Sequence, residues 1–543
     1  MDKIILLDQC GYLPQMEKKV TFRTEAPMGF RVMTSDGRCV FQGTSFERIE
    51  TVSAGETVYV GDFSAVTAPG RYYIIADAGY ESDPFTIDSH IYEEVFQKAF
   101  SFFYLQRCGC DLSQSRARRY AHKACHTGLA TVYGTREKRE VTGGWHDAGD
   151  YGRYIVPAAV TVAQLLSACE DNPSLAALYR GLPGSLPSDA AVSKDDAALP
   201  MACLEEIRYE LEWMLKLQRE DGQVYHKATC YSFCSFIMPE EEQDELVLSP
   251  VSVTATADFA AAMAMAVRFY RDKDPGFAGR LAQASRKAYD ALRTMELPGG
   301  FKNPPDVRTG EYGDACDTDE RYWAAAELYK AFGDACYRED FERLAAQKIY
   351  HGYGWEDVGS FGNRAYLTAG RPVDLSLKAR IESSMIALAD KRLLAAAADG
   401  YGTALLPGEY VWGSNMTVSN NGIHLYDAWR LTGERKYLDA AAQQLHYLLG
   451  RNPVGLCYLT GCGTDSIRRP HHRPSVFWGK AMPGMLSGGP CGRRLDPAAK
   501  GLIPENFPPA KAHGDMYGSY STNEVAIYWN SAFLQLLASV TAV

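Results

Sequence analysis

From residue 19 to residue 87, apolar and polar side chains alternate. Lys19-Val20-Thr21-Phe22-Arg23, Phe30-Arg31-Val32-Met33, Arg38-Cys39-Val40-Phe41, Thr57-Val58-Tyr59-Val60 and Arg71-Tyr72-Tyr73-Ile74-Ile75 run with period two, the pattern of a strand with one covered face. The turn-forming pairs Asp36-Gly37 and Pro69-Gly70 punctuate them. A small β-sandwich over 1–88 is expected, ending near Asp83-Pro84-Phe85-Thr86-Ile87-Asp88. Past residue 90 the spacing becomes helical and stays so. Helices are expected over 91–106, 153–169, 203–218, 253–271, 277–294, 319–333, 339–350, 380–398, 420–431, 435–449 and 522–540. Many are Ala-rich and several stop at Gly or Asn. The pattern therefore predicts an α-only domain over 89–543, whose helix pairs suggest barrel-like repetition without a short repeat.

The stretches between helices are long, notably 107–150, 219–252, 296–318, 355–376, 401–419 and 451–521, and they hold the Trp, Tyr, Gly, Pro and charged residues. Long connections on a helical scaffold are where binding residues sit. The acid-rich run 239–245 reads as a solvated loop. A net charge of -11 and a pI near 5.6 over 543 residues argue against a phosphate-binding surface and against a nucleic-acid partner. The apolar run Ile4-Ile5-Leu6-Leu7 is cut by Asp8, too short for a signal core, and no window reaches membrane-spanning length. The expectation is a cytoplasmic protein with no membrane partner, secreted if a leader has been removed. Fourteen cysteines without regular spacing fit reduced thiols better than a disulfide framework.

Three stretches carry candidate chemistry. In Gly143-Gly144-Trp145-His146-Asp147-Ala148-Gly149-Asp150-Tyr151-Gly152 two carboxylates stand three residues apart with only small residues between them. Trp145 and Tyr151 offer flat faces of the kind a sugar ring stacks on; the competing reading is a turn whose aspartates cap the helix starting near Arg153. Late in the chain, Glu524 precedes Val525, Ala526 and Ile527 and is expected to open an apolar helix capped by Thr522 or Asn523. A carboxyl against apolar neighbours is disfavoured as an anion and suits a general acid, although a first-turn glutamate also simply complements the helix dipole. Between these lies Arg468-Arg469-Pro470-His471-His472-Arg473-Pro474-Ser475. Its proline-boxed donors suit sugar hydroxyls, and equally a metal pair or an exposed basic loop.

Together, Gly143–Tyr154, Arg469–Ser475 and Asp515–Asn530 resemble the signatures of glycoside hydrolase family 9, the cellulase family with an (α/α)6 barrel. Thr254–Ala260, Trp323–Tyr329, Leu449–Pro453 and Gly488–Pro490 add further matches, and residues 2–88, with Asp8–Pro14, resemble the immunoglobulin-like module of one branch. The resemblance implies hydrolysis with inversion: Asp150 as general base, Asp147 helping to hold the water, Glu524 as general acid. An inverting pair needs roughly 6.5–9.5 Å between carboxyls to admit that water. His471, Arg473 and Asp515 match sugar-contacting positions, whereas His513 and Tyr528 depart from the usual residues.

Cys108-Gly109-Cys110, Cys125-His126 and His146 are donor types for a closed zinc site, though their spacing is not that of a standard finger. The branch resembled implies a structural zinc on Cys108, Cys125, His126 and His146, with Cys110 as substitute. Calcium, carried by some relatives, has no ligand set legible here. Trp145, Tyr312, Trp323, Trp355 and Trp412 are candidate stacking residues, Trp412 foremost. The expected substrate is a β-1,4-glucan or cello-oligosaccharide. The rivals are an exo-β-glucosaminidase of the same fold, a non-catalytic carbohydrate-binding protein, and a helical-barrel lyase or isomerase with a Tyr or His base.

Overall fold

The computed structural model describes residues 3–45, 47–176, 203–296 and 300–542. The expected 1–88 module and the 296–318 connection thus each include a few residues outside the described ones. Two compact units divide the chain: residues 1–102 with 385–543, and residues 103–384.

In the first unit the period-two segments form two antiparallel four-stranded sheets. One orders β1 (Ile5–Leu6), β2 (Lys19–Phe22), β6 (Glu56–Asp62) and β5 (Glu47–Thr51); the other orders β4 (Cys39–Thr44), β3 (Gly29–Thr34), β7 (Gly70–Ala76) and β8 (Phe85–Ile87). Alternation decides the faces: along β7, Tyr72, Ile74 and Ala76 are buried while Arg71 is exposed. Between the sheets Tyr12 packs edge-on to Phe63 and Phe85, in a core with Val20, Phe22, Phe30 and Val32. Strand β5, whose sequence is Glu-Arg-Ile-Glu-Thr, had no apolar period to betray it. Loop Asp8–Tyr12 joins the module to the helices of its own unit. Asp8 Oδ2 meets His446 Nδ1 at 2.8 Å, both side chains fully buried, and Tyr92 donates to Asp8 Oδ2 at 3.0 Å.

The helices of this unit include most of α1 (Glu93–Leu105), α11 (Ser414–Thr432), α12 (Arg435–Leu448), α13 (Arg473–Phe477), α14 (Pro497–Leu502), α15 (Tyr520–Asn523) and α16 (Ile527–Thr541). Helix α16 is buried almost all round, as a core helix must be, and packs on α11 and α12.

The second unit holds α2 (Gln114–Ala117), α3 (Ile155–Asp171), α4 (Cys203–Lys216), α5 (Val253–Tyr270), α6 (Pro275–Leu292), α7 (Thr318–Phe332), α8 (Ala335–Gln347), α9 (Gly359–Leu367) and the start of α10 (Leu375–Ala397). Helices α3 and α5 are buried on nearly every side, whereas α6 and α8 bury one face. Two expectations are corrected. Residues 355–376 are not one loop, because α9 occupies part of them; its Gly362 brings the backbone so close to Tyr322 that a Cβ would lie 2.6 Å from the ring. Nor is the region α-only. A five-stranded sheet orders β10 (Lys138–Arg139), β9 (Ala130–Val132), β13 (Leu246–Leu248), β12 (Lys227–Cys230) and β11 (Arg153–Tyr154). Strands of two to four residues are too short to show a period, and their partners lie up to about a hundred residues away in sequence. This sheet sets the end of the two-aspartate loop, since Tyr154 pairs with Lys227.

Candidate active site

The two-aspartate loop sits on α4 with no room to spare. At Gly144, φ is +78° and a Cβ would strike the Trp213 ring at 2.6 Å, so only glycine fits. Trp145 is 1% exposed. Its backbone N–H donates to Glu210 Oε2 at 2.6 Å and its indole N–H to Glu206 Oε1 at 2.9 Å, while Arg107 grips Glu206 through two nitrogens at 2.9 and 2.7 Å. Tyr151 is also buried, its hydroxyl donating to Ile237 O at 2.6 Å and its ring lying 4.8 Å from that of His146. The expectation that Trp145 and Tyr151 offer faces to a sugar is therefore corrected: both pin the loop. Capping is corrected as well, because the N-cap of α3 is Tyr154 and no side chain caps it.

Both aspartates are buried. Asp147 Oδ2 accepts from the Tyr312 hydroxyl, and Oδ1 has no hydrogen-bond partner among the described residues. Burial, and then the charge of Asp150, push the Asp147 carboxyl well above the usual range. Asp150 Oδ2 accepts from Gly152 N at 3.0 Å and from the Tyr154 hydroxyl at 3.2 Å, two donors that favour its anion. Lys227 Nζ, pulled down to about 7 by burial, donates to Asn303 Oδ1 at 2.7 Å and Thr309 Oγ1 at 3.0 Å. It thereby ties down the segment that carries Tyr312.

Glu524 does not open a helix. It is extended, with φ -70° and ψ 169°, between α15 and α16, and the long helix begins three residues later at Ile527. The apolar run that suggested a helix is instead a bridge: Glu524 pairs with His471 and Val525 with Ser487. His471 N donates to Asn523 O at 2.8 Å and Gly488 N to Glu524 O at 2.8 Å. The helix-dipole reading falls with the helix. The apolar setting remains, since Val525, Ala526 and Ile527 are buried. Asp515 accepts Arg469 N at 2.7 Å and Asn523 Nδ2 at 3.1 Å on Oδ1 and Arg468 N at 3.0 Å on Oδ2, so it clamps the loop rather than presenting a free carboxylate. His471 Nδ1 faces Tyr517 O at 2.6 Å. A carbonyl only accepts, which places the proton on Nδ1 and leaves Nε2 as acceptor. Arg473 opens α13 and is buried.

Comparisons with known proteins decide what this assembly belongs to. Residues 92–537 match the model of Glycosyl hydrolase family 9 and residues 2–80 the Cellulase N-terminal ig-like domain. The chain belongs to glycosyl hydrolase family 9. A cellodextrinase from Butyrivibrio fibrisolvens is 36% identical, the alignment covering 99% of this chain and 100% of that protein. The crystal structure of a single mutant of a thermostable endoglucanase from Alicyclobacillus acidocaldarius is 36% identical with a TM-score of 0.90, over 99% of this chain and 100% of that one. A Zn-binding triple mutant of family 9 endoglucanase J30 is 32% identical with a TM-score of 0.89, over 97% and 99%. The fold is thus an immunoglobulin-like module followed by the (α/α)6 helical domain of this family.

The donor set expected for a metal in this family 9 hydrolase comes together. Ligand atoms of Cys108, Cys125, His126 and His146 all lie within 4.8 Å of one another, every residue buried. Cys108 Sγ stands 3.9 Å from Cys125 Sγ and 3.6 Å from His126 Nδ1, and Cys125 Sγ 3.7 Å from His146 Nε2. A tetrahedron with metal–sulfur bonds of about 2.3 Å has edges of about 3.8 Å, so the spacing fits. His126 Nε2 contacts Glu242 Oε2 at 2.8 Å, the outer partner that fixes a ligating imidazole. Cys110, the substitute, is not in the set, and no further donor group of this kind forms among the described residues. The hydrolase also buries Asp258 and Glu320 with no partner among the described residues for any of their four oxygens, a pair that sequence reasoning passed over.

Of the stacking candidates, Trp323 is fully buried beside Phe361 and is core, a correction. Tyr312 and Trp355 meet edge to face at 5.2 Å. Trp412 is 44% exposed, its ring 5.2 Å from Tyr520, which lies 6.0 Å from His471. Tyr154, Lys227, Glu206, Glu210 and Tyr520 were missed; Tyr154 reaches Asp150 four residues back, whereas the other four act through partners distant in sequence, so no local signal marks them. His513 packs against Tyr458 at 5.5 Å and burial lowers it to about 4.

Proposed function

We propose that this family 9 hydrolase cleaves β-1,4-glucosidic bonds of glucans and cello-oligosaccharides with inversion. The observation that carries the reading is the different hydrogen-bond surroundings of the two early acids. Asp150 has two donors that stabilise its anion, while Asp147 is held toward its neutral form and keeps one oxygen without a partner among the described residues. Neighbouring carboxyls driven apart in this way take different tasks. Asp150 removes a proton from water, Asp147 Oδ1 helps to hold that water, and the water oxygen bonds to the anomeric carbon as the glycosidic C–O bond breaks. Glu524 gives its proton to the leaving oxygen; afterwards Asp150 is protonated and Glu524 ionised, and solvent resets both. His471 and Arg473 bind hydroxyls, and Trp412 supplies a stacking face. The relatives named as cellodextrinase and endoglucanase support the substrate class.

Zinc is the metal whose ligand chemistry suits the two thiols and two imidazoles. When bound, it cross-links the loop beside Asp147; the chemistry stays with the carboxyls. We place the boundary between modules at 88/89, between β8 and α1. We also place the enzyme in the cytoplasm, a reading supported by cysteines that form no disulfide among the described residues and tested by fractionating the producing cells. Hydrolysis of cellobiose, cellotetraose and the chitosan dimer, with product anomers read by NMR, tests the reaction. Cellotetraose should give the α-anomer first. A β-anomer would overturn inversion, and preference for the chitosan dimer would establish the amino-sugar rival.

A further inference from the structure

We propose that Phe477 and Trp478 form an accessory sugar-stacking subsite that holds a glucosyl unit of the substrate chain beyond His471 and Arg473; this rests on the β-glucan reading above. Of the eight tryptophans, only Trp412 and Trp478 are exposed, at 44% and 45%, and Phe477 beside Trp478 is 43% exposed. Leaving two large adjacent aromatics in water forgoes their burial, and such a patch marks a contact surface.

The turn that carries them is not a slack loop. Trp478 N donates to Pro474 O at 3.2 Å, Gly479 N to Val476 O at 3.0 Å and Lys480 N to Ser475 O at 3.0 Å. Buried Ser475 ties the base, its hydroxyl accepting Met482 N at 3.0 Å and meeting His472 Nδ1 at 2.9 Å. The rings are therefore presented in a fixed place, which lowers the ordering cost of binding. They stand edge to face, centroids 5.3 Å apart at 84°, so one ring at a time can offer a flat face to one ligand.

Direction follows from the chain. His471 pairs with Glu524, and Arg473, two residues further along the chain, begins α13. Phe477 is four residues after Arg473, on the same side of the helix one turn along. One turn advances about 5.4 Å, close to one sugar repeat. A Cβ placed on Gly479, in the turn, would touch nothing within 4 Å, so the approach is open. A β-linked glucopyranose suits the patch because it has apolar C–H faces for an aromatic ring and keeps its hydroxyls at the edge, toward water.

The test measures affinity against chain length. Cellobiose and cellohexaose are titrated calorimetrically into a Glu524→Gln background, with Trp478→Ala, Phe477→Ala and Trp478→Tyr added singly. The expected result is that Trp478→Ala cuts the ratio of cellohexaose to cellobiose affinity about tenfold, Phe477→Ala less, and that Trp478→Tyr restores most of it. A ratio within twofold of the Glu524→Gln background in Trp478→Ala overturns the subsite. So does failure of that background to prefer cellohexaose, or a change confined to self-association in sedimentation. If the native chain hydrolyses no cello-oligosaccharide but the ratio still depends on Trp478, the subsite stands and the hydrolase reading falls. If it hydrolyses them and the ratio ignores Trp478, the reverse holds.

Discussion

The loop of the proposed base and the loop of the proposed acid are held by different means. Around Asp150 main-chain bonds such as Cys108 N to Gly144 O, His146 N to Gln106 O and Asp147 N to Gly152 O are joined by buried side-chain pins: Glu206 and Glu210 under Trp145, Tyr154 on the carboxylate, and four metal-type donors, of which His146 stands one residue before Asp147. Around Glu524 they are many and mostly use the main chain: Gly488 N on its carbonyl, His471 N on its neighbour's, and Asp515 and Asp496 gathering backbone amides. A water-activating carboxylate has to be ionised and fixed in aim when the water arrives, which buried hydrogen-bond donors enforce. An acid must exchange its proton with solvent each turnover, and Glu524 is only partly buried. The base side thus adds buried ionisable side chains to its main-chain bonds, whereas the acid side relies mostly on the main chain.

The sharpest way to break the comparison is to remove each carboxyl. Asp150→Asn and Glu524→Gln should each lower kcat on cellotetraose about 10²- to 10⁴-fold. On an aryl cellobioside with an activated leaving group, Glu524→Gln should regain most of its rate and Asp150→Asn none. Equal recovery by both would show that the roles are misassigned. Next comes the metal support. Glu242→Gln, which removes the partner of His126, should weaken metal binding about 10- to 100-fold, read by metal content after dialysis against a chelator. Cys108→Ser should abolish stoichiometric metal and lower the melting temperature. A variant that keeps its metal would refute the donor set.

A smaller effect is expected from Tyr312→Phe, which removes the hydrogen bond to Asp147. At about 1 kcal/mol this corresponds to about a fivefold fall in kcat, with KM little changed. A loss confined to KM would move Tyr312 from the water site to substrate binding. The smallest concerns Asp496, at the start of α14. Burial alone would raise its carboxyl, but donors from Ser521, Ala499 and Ser519 outweigh that and hold it below the usual range. A depressed folded value gives stability that is present above the unfolded value and lost as pH falls through the folded one. The melting-temperature gap between the native chain and Asp496→Asn should therefore be full near pH 6 and close below about pH 4. A gap that ignores pH would mean the carboxylate is not the stabilising form.

Much of this was legible along the chain. Alternation placed the strands of the module, and the helical period placed most of the long helices to within a few residues. Glycines at 143 and 144 marked the base loop, because a positive φ at 143 and close approach to Trp213 at 144 demand them. What stayed hidden depends on partners remote in sequence. Trp145 read as a sugar platform until α4 closed over it, and Glu524 read as a helix start until His471 paired with it. The small sheet, with strands of two to four residues, was equally invisible.

Sequence by itself determined which elements form and which side chains have the chemistry: carboxyls, thiols, imidazoles and aromatics, each set by local spacing. Tertiary structure decided which of them face a ligand and which are sealed inside, because burial, proton affinity and hydrogen-bond partners belong to neighbours and not to residues. Identical reasoning from sequence served Trp145 and Trp412, and packing alone left one in the interior and the other on the surface.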